Sequence, residues 1–157
     1  MSEDERQRAL NSAYRFLARR AHSRYELQKK LERKRISDGA IQNVLNKLES
    51  QRFLDDRAFS MSFARDRLQR SQIGRDRMAL ELKTKGISKA LLDETLSALY
   101  SERDELALAR EALKKKQRTM KQAQTVSNHR KLADFLHRRG FSYETIWKVL
   151  RSQHDVE

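Results

Sequence analysis

Cysteine and proline are absent from this 157-residue sequence, and it contains only four glycines. Without cysteine, the chain can form no disulfide, no thiolate metal site and no cysteine nucleophile. Without proline, long helices can run unbroken, and collagen-like or proline-rich classes are excluded. No apolar run reaches the length of about 18 residues that a membrane span needs. The polar N-terminus also lacks the pattern of a secretory signal, so we expect a cytoplasmic protein.

The sequence also has few features that would support catalysis or cofactor binding. Its four histidines lack a metal-ligand spacing, and its glycines are isolated instead of forming a phosphate-binding loop. The pair Asp55 and Asp56 could hold a metal, but a helix N-cap followed by a negative first turn is the better explanation. We therefore predict that the protein is not an enzyme and has no catalytic residue, metal or cofactor.

The charge is strongly of one sign, with 35 lysines and arginines against 22 acids and a net charge of +13. A protein this basic is attracted to polyanions, and nucleic acid is the first candidate. The excess is uneven, because residues 1–48 carry +6, residues 49–105 carry 0 and residues 106–157 carry +7. Two basic ends around a neutral centre suit a partner that presents both protein and nucleic-acid surfaces.

One pattern occurs three times, in residues 31–37, 82–88 and 136–142: a leucine, two polar residues, a cation, a turn residue, an apolar residue and a serine. Apolar residues four before, ten after and fourteen after each leucine extend the match at helical spacing. The sequence therefore predicts an all-α fold of three tandem three-helix repeats, helix-turn-helix-like and elongated. We place the repeats at residues 1–54, 55–101 and 102–157.

Cap and turn residues mark the helix ends within each repeat. The expected N-caps of the third helices are Ser37, Ser88 and Ser142. Those of the second helices are Ser23, Gly74 and Asn128. Gly86 and Gly140 follow second helices at a position that favours positive φ. Arg35 occupies that position in the first repeat, at an expected cost of about 1 kcal/mol relative to glycine. About nine extra residues near 117–125 should extend the first helix of the third repeat before a loop.

A cation recurs near the end of each second helix, as Lys34, Lys85 and Arg139. Such cations complement the helix dipole, but the cation clusters in residues 29–35 and 114–118 exceed what a dipole needs. Phosphate contact explains these clusters as well as plain solvation does. The candidate nucleic-acid and filament contacts are Lys29, Lys30, Arg33, Lys34, Lys114, Lys115, Lys116, Arg130, Lys131, Arg138 and Arg139.

Most aromatic residues fall at apolar helical spacing, which predicts core packing in preference to base stacking. They are Tyr14, Phe16, Tyr25, Phe53, Phe59, Phe63, Phe135, Phe141, Tyr143 and Trp147, with Tyr25 and Tyr143 the least regular. The third helices, expected to begin at Asp38, Lys89 and Tyr143, share no base-reading pattern. This disfavours sequence-specific readout, so a helix-turn-helix transcription regulator is kept only as the alternative function. A protein scaffold that does not bind nucleic acid is the third possibility.

The chain resembles the RecX family over nearly its whole length, about residues 13–151. The resemblance is carried by residues 13–20, 23–31, 53–59, 74–77, 82–87 and 131–141, in that order and spacing. It departs from the family at Arg35, where glycine is usual, and at Gln72, where the family often has a cation.

The resemblance implies a fold of three tandem three-helix units and a monomeric regulatory protein without catalytic residues. It implies binding in the groove of the RecA–DNA filament and inhibition of the recombinase and coprotease activities of RecA. The biological setting would be homologous recombination, DNA repair and the SOS response. The expected partners are RecA and single- and double-stranded DNA, with weak sequence dependence because the contacts would be mainly to phosphate, and no membrane.

Overall fold

The computed structural model describes residues 2–120 and 126–153, which form nine α-helices and no strand. The helices are α1 (Glu3–Arg19), α2 (Arg24–Arg33), α3 (Asp38–Ser50), α4 (Asp56–Arg70), α5 (Arg75–Thr84), α6 (Lys89–Glu102), α7 (Glu105–Thr119), α8 (Val126–Arg138) and α9 (Tyr143–Arg151). This confirms the predicted all-α fold of three-helix repeats, and each third helix begins at the predicted residue. Within the described ranges, no helix is long and apolar enough to cross a membrane.

The helices are grouped into two compact units. Unit 1 comprises Met1–Ser62 with Leu82–Leu92, and unit 2 comprises Phe63–Glu81 with Asp93–Glu157. Each helix of the middle repeat, α4 to α6, therefore contributes residues to both units.

The core of unit 1 forms where α1, α2 and α3 pack together. Leu27 and Leu31, one turn apart on α2, are fully buried against Ile41 and Leu45 of α3. Ala13 of α1 has no exposed surface, and its small side chain lets the helices approach closely. Burial of each leucine contributes about 1.5–3 kcal/mol, so these i, i+4 pairs hold the repeat together.

Unit 2 repeats this arrangement with α7, α8 and α9. Ala109 and Leu113 of α7, Leu132 and Leu136 of α8, and Ile146 of α9 are all buried. They occupy the positions that the sequence repeat assigns to the apolar helix faces, so the spacing of apolar residues was sufficient to identify this core.

The predicted helix caps are mostly confirmed. The side chains of Ser23, Ser88 and Ser142 each accept a hydrogen bond from a backbone N–H three residues later, at 3.1, 3.4 and 3.2 Å. Ser37 occupies the predicted N-cap position of α3, but the expected side-chain cap bond is absent, and its backbone N–H donates to the Glu5 carboxylate at 2.8 Å.

Three other predictions concern helix ends. Asn128 does not cap α8, because that helix already begins at Val126. Asp55 does act as an N-cap, accepting from the Ala58 N–H at 3.1 Å. The extra segment of the third repeat extends α7 to Thr119. Its remainder, residues 121–125, lies outside the described residues.

The turns that follow the second helices have the predicted backbone conformation. Arg35, Gly86 and Gly140 have φ values of 57°, 74° and 86°. Arg35 is exposed, so its side chain extends into solvent while its backbone adopts a conformation that favours glycine. The structure also places Arg52, after α3, at a φ of 61°, which the sequence did not predict.

Core packing of the aromatic residues was predicted correctly only in part. Phe59 and Phe141 are buried, and Phe16, Phe63 and Phe135 are half-buried. The prediction was wrong for five residues that are exposed instead: Tyr14, Tyr25, Phe53, Tyr143 and Trp147. Four of them lie on helices, at the edge of the apolar stripe or outside it, and Phe53 lies in the turn between α3 and α4.

Candidate nucleic-acid interface

In unit 1, the turn after α5 packs against the start of α2. The Ser23 hydroxyl donates to the Lys85 carbonyl at 2.6 Å. A Cβ atom on Gly86 would lie 2.3 Å from the Cβ of Tyr25. Glycine is therefore required at Gly86 for two reasons, its positive φ and the lack of space for a side chain.

In unit 2, the turn after α8 packs in the same way against the start of α5. The Gly74 N–H donates to the Arg139 carbonyl at 2.8 Å, and the Asp76 N–H donates to the Gly140 carbonyl at 3.2 Å. A Cβ atom on Gly140 would lie 2.3 Å from the backbone nitrogen of Arg77. These two turns carry the recurring cation of the repeat, so the packing brings Lys85 and Arg139 to the start of a second helix.

The packing in unit 1 creates a groove along α2, here called the α2 groove. Its lining residues are Arg20, Tyr25, Glu26, Lys29, Lys30, Arg33, Thr84 and Lys85. The Glu26 carboxylate accepts from Lys85 at 2.7 Å and from Arg20 at 3.0 Å. Burial raises the pKa of Glu26, but these two hydrogen bonds outweigh burial and lower the pKa to about 2. Lys85 is therefore neutralised by an ion pair and is not an exposed cation.

The candidate cations of the α2 groove differ in whether they already have a partner within the protein. The Lys30 ammonium donates to Nε2 of His22 at 2.7 Å, and His22 Nδ1 in turn bonds to the Arg20 carbonyl at 3.0 Å. Burial lowers the pKa of both Lys30 and His22. Lys29 pairs with Glu32 at 3.0 Å. Arg33 is exposed and has no ion pair with another described residue, which makes it the most available cation of this groove.

Lys34 does not line the α2 groove. It lies in a second groove of unit 1 with Arg8 and Arg15 of α1, and its ammonium is 5.7 Å from the centre of the Phe16 ring. The structure therefore divides the first predicted cluster between two surfaces of unit 1.

Unit 2 contains a groove whose charged lining residues are all arginines, here called the arginine groove, with a volume of about 500 Å³. Its lining residues are Arg67, Ser71, Ile73, Arg77, Phe135, Arg138 and Arg139. The Nε of Arg67 bonds both oxygens of the Glu81 carboxylate, at 3.1 and 3.0 Å. The Nε of Arg77 is 3.6 Å from the same carboxylate. One carboxylate thus pairs with two of the four guanidinium groups that line the groove, which leaves a net positive charge.

Arg139 is held in a fixed position within the arginine groove. Its guanidinium donates to the Ser71 hydroxyl and lies 5.1 Å from the centre of the Phe135 ring. Arg138 is exposed and forms no ion pair among the described residues, while its backbone carbonyl accepts from Arg77 at 3.4 Å. Planar guanidinium groups with open N–H donors are suited to phosphate oxygens, so this groove could hold a nucleic-acid backbone.

The remaining predicted contacts lie on α7 and α8. Lys116, Lys131 and Arg138 line one groove together with Met120 and Asp134. Three more are exposed on the same helices: Lys114, Lys115 and Arg130. Among these, Lys115 has a distant partner, 3.9 Å from Glu111. The structure thus brings Lys116 and Lys131 to the same surface as Arg138, although they are distant in sequence.

Sequence reasoning missed five arginines that line these grooves: Arg8, Arg15, Arg20, Arg67 and Arg77. The last two belong to the middle repeat, whose net charge of zero concealed them. No local signal identified them, because Gly74, which precedes α5, is an ordinary residue at a helix N-cap. Gln72 is buried and donates to Glu111 at 3.1 Å, so it has a structural role. Residues 2–120 and 126–153 hold no cluster of three or more side chains suited to a metal ion.

Comparison with known proteins identifies the family. Models of the first, second and third three-helix domains of RecX match residues 9–48, 55–96 and 103–150. Regulatory protein RecX from Pelodictyon phaeoclathratiforme is 34% identical over 96% of this chain and 92% of its own. The protein of that name from Chlorobaculum tepidum is 36% identical over 96% of this chain and 91% of its own.

A solved structure agrees at the level of the fold. The crystal structure of RecX from Lactobacillus salivarius matches with a TM-score of 0.84 at 22% identity, covering 96% of this chain and 97% of that chain. Since the sequence models match most of the chain and the relatives exceed 30% identity over almost all of it, this chain belongs to the RecX family of regulatory proteins.

Proposed function

We propose that this protein regulates the RecA recombinase by binding the RecA–DNA filament and inhibiting it. Family membership supports a regulatory role, and the observation that supports contact with the filament is the arginine groove. Four guanidinium groups line it and one carboxylate offsets them, an arrangement suited to the phosphates of a DNA strand.

We propose binding to single- and double-stranded DNA with weak sequence preference, because phosphate contacts carry no sequence information. The basic repeats at 1–54 and 102–157 would supply most of the attraction. Arg67 and Arg77 of the repeat at 55–101 line the same groove as Arg138 and Arg139, so they join that contact. The protein acts as a monomeric cytoplasmic binding protein and not as an enzyme.

The decisive experiment measures the DNA-dependent ATPase of RecA with increasing amounts of this protein. We expect the ATPase rate to fall. Arg77→Glu should weaken this inhibition, because a carboxylate at that position would pair with the neighbouring guanidinium groups and repel phosphate. The matched control is Arg110→Glu, which makes the same charge change at an exposed arginine of unit 2 that does not line the groove.

An unchanged ATPase rate at any ratio of the two proteins would contradict the proposal. Equal effects of the two substitutions would show that overall charge matters and the groove does not. Selection from random duplexes tests the alternative function: an enriched consensus site with a specificity ratio of about a thousand or more would indicate a transcription regulator.

A further inference from the structure

Helix α9 presents two large aromatic side chains to solvent. Tyr143 is 74% exposed and Trp147 is 65% exposed. They are four residues apart, so they lie on the same face of the helix. A neighbouring face of the helix buries Ile146 and Val149 in the core of unit 2. The two aromatic rings are therefore not needed to pack α9 against unit 2, since other side chains of the helix fill the core.

The two sister repeats show that the fold does not need these rings. The positions equivalent to Tyr143 are Asp38 on α3 and Lys89 on α6, and those equivalent to Trp147 are Gln42 and Asp93. Three-helix repeats thus form with polar residues at both positions. Adjacent, exposed aromatic side chains that stability does not require indicate an interaction site.

The geometry of this face favours stacking. The His137 ring lies parallel to the Tyr143 ring, with centroids 4.7 Å apart and an interplanar angle of 13°. This contact covers one face of the tyrosine ring and orients it, while the ring as a whole remains mostly exposed. An oriented ring with an open face offers a nucleobase a stacking surface at little entropic cost.

The charge around the rings identifies the partner. Residues 126–153, which include α8 and α9, carry six cations and two acids. Arg138 directly follows His137 and is exposed. Lys148, next to Trp147, is paired with Glu144 at 2.8 Å, so Arg138 supplies the unpaired charge beside the rings. An anionic chain with open aromatic bases matches this combination of cations and flat rings. In duplex DNA the bases are stacked on one another, so only unpaired bases can reach the rings.

We propose that Tyr143 and Trp147 form a stacking platform for the unpaired bases of single-stranded DNA. This inference rests on the proposed function and extends it. The arginine groove would hold phosphates of either kind of DNA, whereas the platform would discriminate in favour of single strands.

Trp147 is the one tryptophan of the chain, so its fluorescence reports directly on this site. We would titrate the protein with a thymidine oligonucleotide of about 20 nucleotides, and with a duplex of the same length. The single strand should quench the emission and protect the indole from acrylamide, and the duplex should do neither. Unchanged emission when a labelled oligonucleotide is bound, or equal quenching by the duplex, would overturn the proposal.

A matched pair of substitutions provides a second measurement. Trp147→Gln places the residue of the first repeat at this position, so the helix should form normally. It should weaken the affinity for the single strand roughly 5- to 150-fold, leave duplex affinity unchanged, and be largely rescued by Trp147→Phe. The control is Phe53→Gln, which removes an aromatic side chain of unit 1 that is 56% exposed and should leave both affinities unchanged.

The two hypotheses fail in different ways. If RecA ATPase is inhibited but the single strand does not quench Trp147, the platform is wrong and the regulatory function stands. If quenching occurs but RecA is unaffected, the regulatory function is wrong and the platform stands. If Trp147→Gln weakens binding to DNA-free RecA and leaves DNA affinity intact, the rings bind protein, and the stacking proposal is overturned.

Discussion

Replacing Gly140 by alanine tests the packing that builds the arginine groove. The added methyl would lie 2.3 Å from the backbone nitrogen of Arg77 and 2.7 Å from its Cα. Backbone atoms in a packed helix cannot move aside as the end of a flexible side chain can. A clash of this kind costs about 1–3 kcal/mol. The φ of 86° adds about 1–2 kcal/mol for any residue with a Cβ.

We therefore expect Gly140→Ala to lower the free energy of unfolding of unit 2 by about 2–5 kcal/mol. Trp147 lies in the same unit, so its fluorescence during urea unfolding reports on the affected region. Circular dichroism of the same samples follows the helices of the whole chain. A lower urea midpoint by fluorescence, with little change in the slope of the transition, is the expected result.

Two matched variants separate the contributions of conformation and packing. Arg35→Gly changes a turn with a similar φ, 57°, at an exposed position, and should stabilise the protein by about 1 kcal/mol. Gly39→Ala makes the same change as Gly140→Ala within helix α3, where no atom lies within 4 Å of the new methyl. It should be neutral or stabilise by up to about 1 kcal/mol. If Gly140→Ala costs less than about 1 kcal/mol, the close approach to Arg77 does not exist and the reasoning is refuted.

Glu26, the recurring cations and Tyr100 can each be tested by a single substitution. The pKa of Glu26 in the folded state is about 2, below its usual value of 4.5. Its carboxylate therefore stabilises the fold above pH 4.5 by about 2 kcal/mol, and this contribution is lost as the pH falls towards 2. Urea midpoints of Glu26→Gln should therefore vary less over this range than those of the wild type. Replacing Lys34 or Arg139 with glutamine should weaken binding to the filament and reduce the dependence of log affinity on log salt concentration by roughly one unit. Lys85→Gln should reduce this dependence less, because Lys85 is already paired with Glu26. Binding titrations at several salt concentrations measure the difference. Tyr100→Phe should lower the urea-derived stability by about 1–2 kcal/mol, because the buried hydroxyl donates to a backbone carbonyl at 2.9 Å.

Much of the fold could be predicted from the sequence because the information is local and occurs three times. Apolar spacing located the buried faces, and the recurring serines located the starts of the third helices. Predictions of individual helix caps were less reliable. Ser37 occupies its N-cap position without the expected side-chain bond, and its backbone N–H bonds Glu5, a partner distant in sequence that local patterns could not indicate. Asn128 lies inside a helix that begins two residues earlier, at Val126.

The candidate site was harder to predict because its grooves form between helices of different repeats. The sequence indicated cation clusters on α2, α7 and α8, but nothing local showed that Arg67 and Arg77 line one groove with Arg139. Net charge per repeat also averages over faces, so the acids of the middle repeat masked these two arginines. The exposure of Trp147 was missed for a related reason, since helical spacing alone does not separate a core position from an adjacent surface position.

One position of the repeat decides whether the packed turn adds a usable cation. Glu26 and Arg77 both directly precede the buried residue of the second helix, Leu27 or Met78, so they are equivalent. Where this residue is Glu26, the cation of the packed turn, Lys85, is paired at 2.7 Å and its charge is cancelled. Where it is Arg77, the turn's cation joins a groove with other guanidinium groups. The same backbone packing thus yields an ion pair in unit 1 and an arginine-lined groove in unit 2. It follows that the surface charge of each unit can change by substitution at this position while the packing that holds the turn is retained.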